Sequence, residues 1–485
     1  MTTETTTEKA GPTAAAPTAR SLTLATAFSL GLRLAGLVVG MTSTAILARY
    51  LEPGGYGQLS LAITLATGVA QVADMGLALT VASRIANHRG TAAGSILSTG
   101  LALRTTAALI ATAGLLFAAA LGAFEGSGTA VAIVALSVPL SAASILTAGS
   151  TAKFRPEIAA GLSVLQGVLW LGAVVLASSA GYGLLWLACA QVVVVILQTA
   201  TGVLLNKRVI PLTRPSTQHL GAIAKATWPL AISGLATMAY YRIDSLILFH
   251  ARGAEELGFY SAAYKFIDVA QIIPALVVAP LLPMIARNRD NPARKKVIFS
   301  LASRTGVTVG IGTAAMLAVL AGPITTFVYG DAFEPAMNPL RWLGLAFVGM
   351  CMGYIGSTTC IALGRVKALA VQSISIAVVS LAVQFWATDR WGAAGAAATS
   401  AFTELAIGLG TLTLAARGLR TKAPITRLLA ICAVGLLATA AGASFLDRSW
   451  ILAGAVTVAM LGAGLLVTRA ITVTDVKQAV SRRAL

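Results

Sequence analysis

Long apolar runs separated by short polar breaks follow one another along almost the whole chain. A membrane-spanning helix needs about 20 predominantly apolar residues, and charge clusters or Pro/Gly turns mark where one run ends. The pattern predicts an all-α polytopic membrane protein with about 14 transmembrane helices. We place these at 21–48, 56–82, 101–123, 129–150, 158–179, 182–205, 226–249, 257–286, 297–328, 340–363, 368–388, 391–416, 425–446 and 450–468.

An internal repeat divides these helices. The second helix opens with Tyr56-Gly57-Gln58-Leu59-Ser60-Leu61-Ala62 and the eighth with Leu257-Gly258-Phe259-Tyr260-Ser261-Ala262-Ala263, which share the pattern G-x-x-S-x-A. The spacing predicts two six-helix bundles, helices 1–6 and 7–12, with two C-terminal helices added. Parallel repeats in transporters place the substrate between the halves. The predicted divisions are a disordered cytoplasmic tail 1–20, a first bundle 21–205, a cytoplasmic linker 206–225, a second bundle 226–416, two extra helices 425–468 and a basic cytoplasmic tail 469–485.

Composition supports the membrane assignment. Of the 485 residues 57% are hydrophobic and only 11% are charged, and the mean hydropathy is +0.83, whereas soluble domains carry about 25% charged residues. This excludes a large soluble catalytic domain. The net charge of +18 would suit nucleic acid, but 27 basic residues fall on one predicted side of the membrane and five on the other. That asymmetry is a topology signal, which assigns both termini to the cytoplasm and leaves no nucleic-acid partner.

Recognisable catalytic or cofactor motifs are missing from the sequence. Cys189, Cys351, Cys360 and Cys432 lie in apolar segments without a CxxC pattern, so neither a disulfide framework nor a zinc site is predicted. The chain contains no GxxxxGK[ST] phosphate-binding loop, so it does not hydrolyse ATP by itself. We expect a protein that is not an enzyme, without cofactor or metal. Its work would come from an ion gradient, the membrane potential or the gradient of its substrate.

Seven ionisable side chains are predicted to lie inside the membrane. A charge at the bilayer centre costs about 2.5–3.5 kcal/mol on insertion scales, so each is a functional candidate. Guanidinium groups match phosphate oxygens, which makes Arg33 and Arg242 candidate ligands of an anionic substrate. Lys265 could reach the same anion, and Tyr241 offers a ring for sugar stacking. The seven are Arg33, Asp74, Arg242, Asp244, Lys265, Asp268 and Glu404.

The four acids among them are predicted to couple transport to a proton or another cation. Each prediction has a structural alternative. Lys265 and Asp268 are three residues apart and could form an intrahelical ion pair. Asp74 could pair over a long range with Arg33, Asp244 could also form a structural pair, and Glu404 could be neutral and hydrogen-bonded.

Several motifs, in the right order and on the right helices, resemble the polysaccharide-transporter family of the O-antigen-flippase type. This family shares a superfamily with lipid II flippases and multidrug extruders of the MATE type. The resemblance covers most of residues 21–420 and implies two six-helix bundles around a central cavity. The matching stretches are Leu47-Ala48-Arg49-Tyr50-Leu51-Glu52-Pro53 with Tyr56-Gly57, Ala73-Asp74-Met75-Gly76, Tyr241-Arg242-Ile243-Asp244, Gly258-Phe259-Tyr260-Ser261-Ala262-Ala263-Tyr264-Lys265, Leu282-Pro283 and Trp391-Gly392-Ala393-Ala394-Gly395-Ala396-Ala397.

The resemblance implies a flippase for cell-surface polysaccharide synthesis. It would move a polyprenyl-diphosphate-linked oligosaccharide from the inner to the outer leaflet of a bacterial-type plasma membrane by alternating access. Its partners would be that lipid-linked saccharide, membrane lipids and, as an open alternative, other polysaccharide-export proteins. The main rival is a cation-coupled MATE-like multidrug exporter that relies on the four acids. A membrane glycosyltransferase or polymerase is disfavoured because the loops are short and basic, and a non-transporting scaffold would leave the buried charges without a purpose.

Overall fold

The computed structural model describes residues 19–74, 76–86, 90–146, 156–207, 213–288, 291–421 and 425–468. Within these ranges the regular structure is helical. The helices are α1 Ala19–Asp74, α2 Leu77–Ala86, α3 Gly90–Ala120, α4 Gly128–Ala135, α5 Ser137–Ser141, α6 Pro156–Ala180, α7 Leu184–Lys207, α8 Thr217–Ala270, α9 Ile272–Val278, α10 Leu281–Arg287, α11 Pro292–Tyr329, α12 Met337–Ala362, α13 Val366–Gly418, α14 Ile425–Ala443 and α15 Trp450–Val467, with 3₁₀ turns at Ala142–Leu146 and Asp331–Ala336.

Some of the sequence predictions fall outside the described residues. These are residues 1–18 of the predicted N-terminal tail, the basic tail 469–485 and six basic residues counted for the topology. The six are Arg89, Lys153, Arg155, Arg208, Arg289 and Lys422.

Three of the helices are each two spans joined at a sharp kink. The kinks lie at Glu52 (φ 57°) in α1, Gly253 (φ 83°) in α8 and Gly392 (φ 57°) in α13. In the described part of the chain, eleven helical stretches are apolar and long enough to cross a bilayer, and the three longest contain these kinks. Dividing each at its kink gives fourteen spans, as predicted, and the all-α polytopic fold is confirmed.

The structure corrects several boundaries. The predicted helix 257–286 is interrupted after Ala270 and again before Leu281, where Pro274 and Pro280 lack the backbone donor that a continuous helix needs. Helix α3 begins at Gly90, well before the predicted residue 101. Two of the 27 basic residues assigned to the cytoplasmic side, Arg104 and Arg304, are buried within α3 and α11.

The predicted repeat is visible as a symmetric crossing of α1 and α8. Glu52 and Gly253 are 201 residues apart, and so are Gly57 and Gly258. A Cβ atom on Gly57 would overlap the carbonyl oxygen of Ala254, and one on Gly258 would overlap the carbonyl oxygen of Pro53, which is the residue equivalent to Ala254. The two backbones therefore touch at equivalent glycines. We call this region the closed end of the molecule.

Aromatic packing and arginine contacts complete the closed end. The Phe333 ring packs edge-on against Tyr56 of the first half and Phe259 of the second, with ring centroids 5.9 and 6.1 Å apart. Arg49 Nε donates to the carbonyl oxygen of Val328 at 2.9 Å, near the C-terminus of α11, where the helix dipole favours a cation. This arginine therefore bridges the two halves.

Most of the remaining helix packing lies within one half or the other. In the first half α1 packs against α6, α3 and α4, and in the second half α13 packs against α12, which in turn packs against α11. The two C-terminal helices, α14 and α15, pack against each other and against α11. These two helices take no part in the crossing of α1 and α8. A substrate site between the two bundles would therefore be formed by the other helices.

Candidate functional site

A cavity of about 370 Å³ lies between α1 and α8, bordered by α6 and α7. That volume falls in the roughly 300–1,000 Å³ range of small-molecule sites. Most of its lining is polar, which is unusual inside an apolar bundle. The polar and aromatic lining residues are Thr44, Tyr56, Ser60, Thr64, Thr67, Ser163, Gln166, Trp170, Gln191, Asp244, Ser245, Tyr260, Ser261, Tyr264, Lys265 and Asp268.

Equivalent positions of the two repeats line the cavity from both sides. Lining residues of α1 and α8 form pairs that are 201 positions apart in the sequence. Ser60 faces the cavity as Ser261 does, but Thr64 corresponds to Lys265 and Thr67 to Asp268. The pairs are Thr44 with Ser245, Leu59 with Tyr260, Ser60 with Ser261, Ile63 with Tyr264, Thr64 with Lys265 and Thr67 with Asp268. At two of these pairs the first half thus has a threonine hydroxyl where the second half has a charged group.

Hydrogen bonds from residues of α8 hold the Asp244 carboxylate, and Ser400 of α13 lies next to them. The Tyr260 hydroxyl donates to Asp244 Oδ2 and lies 3.3 Å from Ser400 Oγ. The backbone N–H of Ser245 donates to Asp244 Oδ1 at 2.6 Å. These donors stabilise a carboxylate and fix its orientation between the two bundles.

A second cavity of about 250 Å³ lies within the second half. Asp244 lines it together with Glu404, which is buried in α13. Ser380 and Thr403 line it as well and are hydrogen-bonded to each other. Asp244 and Tyr264 line both cavities, while Glu404 lines only the second. Two carboxyl groups that line one cavity can take up a proton or a small cation.

The structure brings together four of the predicted site residues. Lys265, Asp244 and Asp268 line the first cavity, and Asp244 and Glu404 the second. Arg33 lies on α1 with an exposed side chain and is not among the residues that line either cavity. Tyr241 and Arg242 belong to α8, but their side chains lie outside the described residues.

Asp74 lies apart from the cavity, at the end of α1. Its Oδ1 is 3.0 Å from Arg104 Nη1 on α3, with the Arg104 side chain 11% exposed and that of Asp74 25% exposed. Asp74 therefore pairs with Arg104 rather than with Arg33. Sequence reasoning missed this pair because it counted Arg104 among the basic residues of the cytoplasmic side and not among the charges inside the membrane.

Replacing Asp74 with asparagine should destabilise the first half by leaving Arg104 as a buried charge without its counter-charge. Breaking a fully buried pair costs roughly 3–5 kcal/mol; a quarter of Asp74 is exposed, so we expect about 2 kcal/mol. Thermal unfolding of the detergent-solubilised protein measures the effect. Adding Arg104→Gln should restore part of the loss. An Asp74→Asn protein as stable as the wild type would contradict a stabilising role for the pair.

Sequence reasoning also missed the α6 and α7 side of the cavity. Gln166 and Trp170 of α6 and Gln191 of α7 line it, yet none of them is ionisable, so none stood out in an apolar run. The spacing of Ser163, Gln166 and Trp170, at three and four residues, places them on one helix face and was the available signal. In the described residues no group of three or more His, Cys, Asp or Glu side chains is arranged to hold a metal ion.

Comparisons with known proteins agree with this architecture. The model of a family described as "Polysaccharide biosynthesis protein" matches residues 46–338. The succinoglycan biosynthesis transport protein ExoT of Rhizobium meliloti (strain 1021) is 25% identical over 312 residues, which are 62% of this chain. The chain spans 61% of the length of that curated relative.

Two kinds of solved structure share the fold. The lipid II flippase MurJ in an inward closed conformation superposes with a TM-score of 0.76 at 14% identity, covering 92% of this chain and 98% of MurJ. An inward-facing multidrug resistance MATE family transporter of the MOP superfamily superposes with a TM-score of 0.57 at 16% identity, covering 82% of this chain and 94% of that one. At these identities the likeness concerns the fold.

Proposed function

Because the chain belongs to the polysaccharide biosynthesis protein family, whose model matches more than half of it, we propose that this membrane transporter flips a lipid-linked saccharide. The substrate is a polyprenyl-diphosphate-linked oligosaccharide. It moves from the inner to the outer leaflet of a bacterial-type plasma membrane, for synthesis of a cell-surface polysaccharide. Both termini then face the cytoplasm, and other polysaccharide-export proteins remain candidate partners.

The observation that carries this proposal is the polar cavity on the repeat axis. It is lined by hydroxyls and amides that suit a saccharide, and it contains Lys265 for the charge of a diphosphate. The polyprenyl tail needs no polar site and stays in lipid. Arg33 and Arg242 remain predicted contributors to phosphate binding.

Alternating access is expected to proceed by opening and closing the crossing of α1 and α8. The close backbone contact at Gly57 and Gly258 supports a cavity that is shut on that side. We place that end toward the outer leaflet, so the conformation described is closed to the outside. An inside-negative potential favours outward movement of an anion by about 2.3 kcal/mol per charge per 100 mV.

A cation-coupled multidrug exporter is the second candidate. The observation behind it is the second cavity, which Asp244 and Glu404 both line and which can take a proton or cation. Such a site is equally compatible with a flippase whose cycle is coupled to an ion gradient. The two functions therefore differ in what the first cavity holds, and Lys265 distinguishes them.

The test measures polyprenyl-diphosphate-linked saccharides by mass spectrometry in cells that lack the protein and in cells restored with variants. We expect one lipid-linked oligosaccharide to accumulate in the deletion strain. Wild type and Lys265→Arg should clear it, and Lys265→Gln should clear it at least tenfold more slowly. Lys367→Gln, an exposed lysine on α13 outside the first cavity, is the matched control.

The exporter predicts a different outcome in the same strains. The lipid-linked pool would be unchanged in the deletion strain, sensitivity to cationic drugs would rise, and Lys265→Gln would behave as wild type. That result would replace the flippase proposal. A strain carrying both Arg33→Ala and Arg242→Ala extends the experiment to the two predicted arginines.

A further inference from the structure

The first cavity has two chemically different walls. One wall is built by α8, which contributes Asp244, Lys265 and Asp268. The other is built by α1, α6 and α7 of the first half, and the lining residues that these three helices contribute are all uncharged. The two walls differ even at equivalent positions of the repeat, because Lys265 and Asp268 correspond to Thr64 and Thr67.

The uncharged wall presents groups suited to a sugar. Trp170 has a large apolar ring and a single donor, and Gln166 lies one turn before it on the same face of α6. Gln191 adds a second amide from α7. Each amide both donates and accepts hydrogen bonds, as sugar hydroxyls do. The three side chains are half-buried, and the structure gives their polar groups no hydrogen-bond partner among the described residues.

We infer that neutral sugar residues of the substrate bind this first-half wall, with a sugar ring on Trp170 and its hydroxyls on Gln166 and Gln191. The diphosphate lies toward Lys265 on the opposite wall. Among the described lining residues Lys265 is the single basic side chain, and the first-half wall has none. An acidic sugar on that wall would therefore lack a counter-charge, so the site selects uncharged sugars next to the diphosphate. The inference rests on the proposed function and names the part of the substrate that the first half recognises.

The test uses the purified full chain in lipid nanodiscs and three probes. These are undecaprenyl diphosphate, undecaprenyl diphosphate linked to a disaccharide of glucose and galactose, and the same lipid with glucuronic acid in place of glucose. Affinities are measured by titration with native mass spectrometry. We expect the wild type to bind the neutral saccharide lipid about tenfold more tightly than the acidic one.

Variants then separate the two walls. Trp170→Ala and Gln166→Ala should weaken binding of the neutral saccharide lipid about tenfold and leave undecaprenyl diphosphate unchanged, whereas Lys265→Gln should weaken binding of both lipids. Trp170→Phe keeps an aromatic face and should retain most of the affinity. Trp386→Ala, at an exposed tryptophan on α13, controls for loss of a tryptophan.

The outcomes distinguish this inference from the proposed function. If the wild type binds both sugar lipids equally, or if Trp170→Ala weakens all three probes alike or none, the inference is overturned while the flippase stands. If the wild type binds none of the three probes, the proposed function itself falls.

Discussion

Valine in place of Gly57 or of Gly258 is expected to abolish transport, with a loss of at least a hundredfold for either variant. A Cβ atom at each position would overlap a backbone carbonyl oxygen of the other half. Forcing extra atoms between packed side chains costs typically 1–3 kcal/mol. A backbone neighbour cannot rotate away, so we expect at least the upper end of that range. The two halves would be held apart and the closed end would not form.

Clearance of the lipid-linked saccharide pool measures this loss, with the amount of protein in the membrane fraction measured beside it. Gly114→Val in α3 and Gly172→Val in α6 are matched controls, because open space surrounds a Cβ atom at both positions. The two test variants should also give equal losses, since their contacts are equivalent by the repeat. Normal clearance by either of them would show that closure does not depend on this crossing.

Asparagine in place of Asp244 should lower transport roughly ten- to hundredfold. The residue lines both cavities and accepts a hydrogen bond from Tyr260. Asparagine preserves its size but removes the charge, and hydrogen bonds to charged groups contribute about 1.5–3 kcal/mol. Coupling between a cation in the second cavity and substrate in the first would be lost with that charge.

Transport by Asp244→Asn is compared across pH and sodium concentration. Glu255→Gln, at an exposed acid on the same helix, is the control for a change of net charge. Tyr260→Phe should give a smaller loss, and the double variant should be no worse than Asp244→Asn alone, because residues in one network are not additive. Unchanged ion and pH dependence in Asp244→Asn would remove this residue from the coupling mechanism.

The sequence predicted the fold more completely than the site, for a physical reason. Spans are specified by apolar length, which each segment carries alone, and the three kinked helices break where Pro or Gly follows or occupies the kink. The motif shared by Gly57 and Gly258 predicted the two halves. Ionisable residues within apolar runs can also be recognised in the sequence. Four of the predicted ones line the two cavities.

What sequence reasoning missed depends on which way a helix faces. In helix α6 the spacing of Ser163, Gln166 and Trp170 marks a shared face, but the sequence does not tell whether that face meets the cavity or the lipid. The Asp74–Arg104 pair joins residues from two helices, and only their packing brings them together. Arg33 was predicted at the cavity because of its charge and depth, whereas its side chain is exposed and lies outside both linings.

The crossing at the closed end joins the two halves by equivalent contacts. Gly57 meets Ala254 and Gly258 meets Pro53, so residue i contacts j while the equivalent of j contacts the equivalent of i. That reciprocity defines an isologous interface, the kind formed by two identical subunits around a two-fold axis. The two halves thus meet at this point as two identical subunits of a dimer would. The equivalence ends inside the cavity, where Lys265 and Asp268 of the second half face Thr64 and Thr67 at the matching positions of the first.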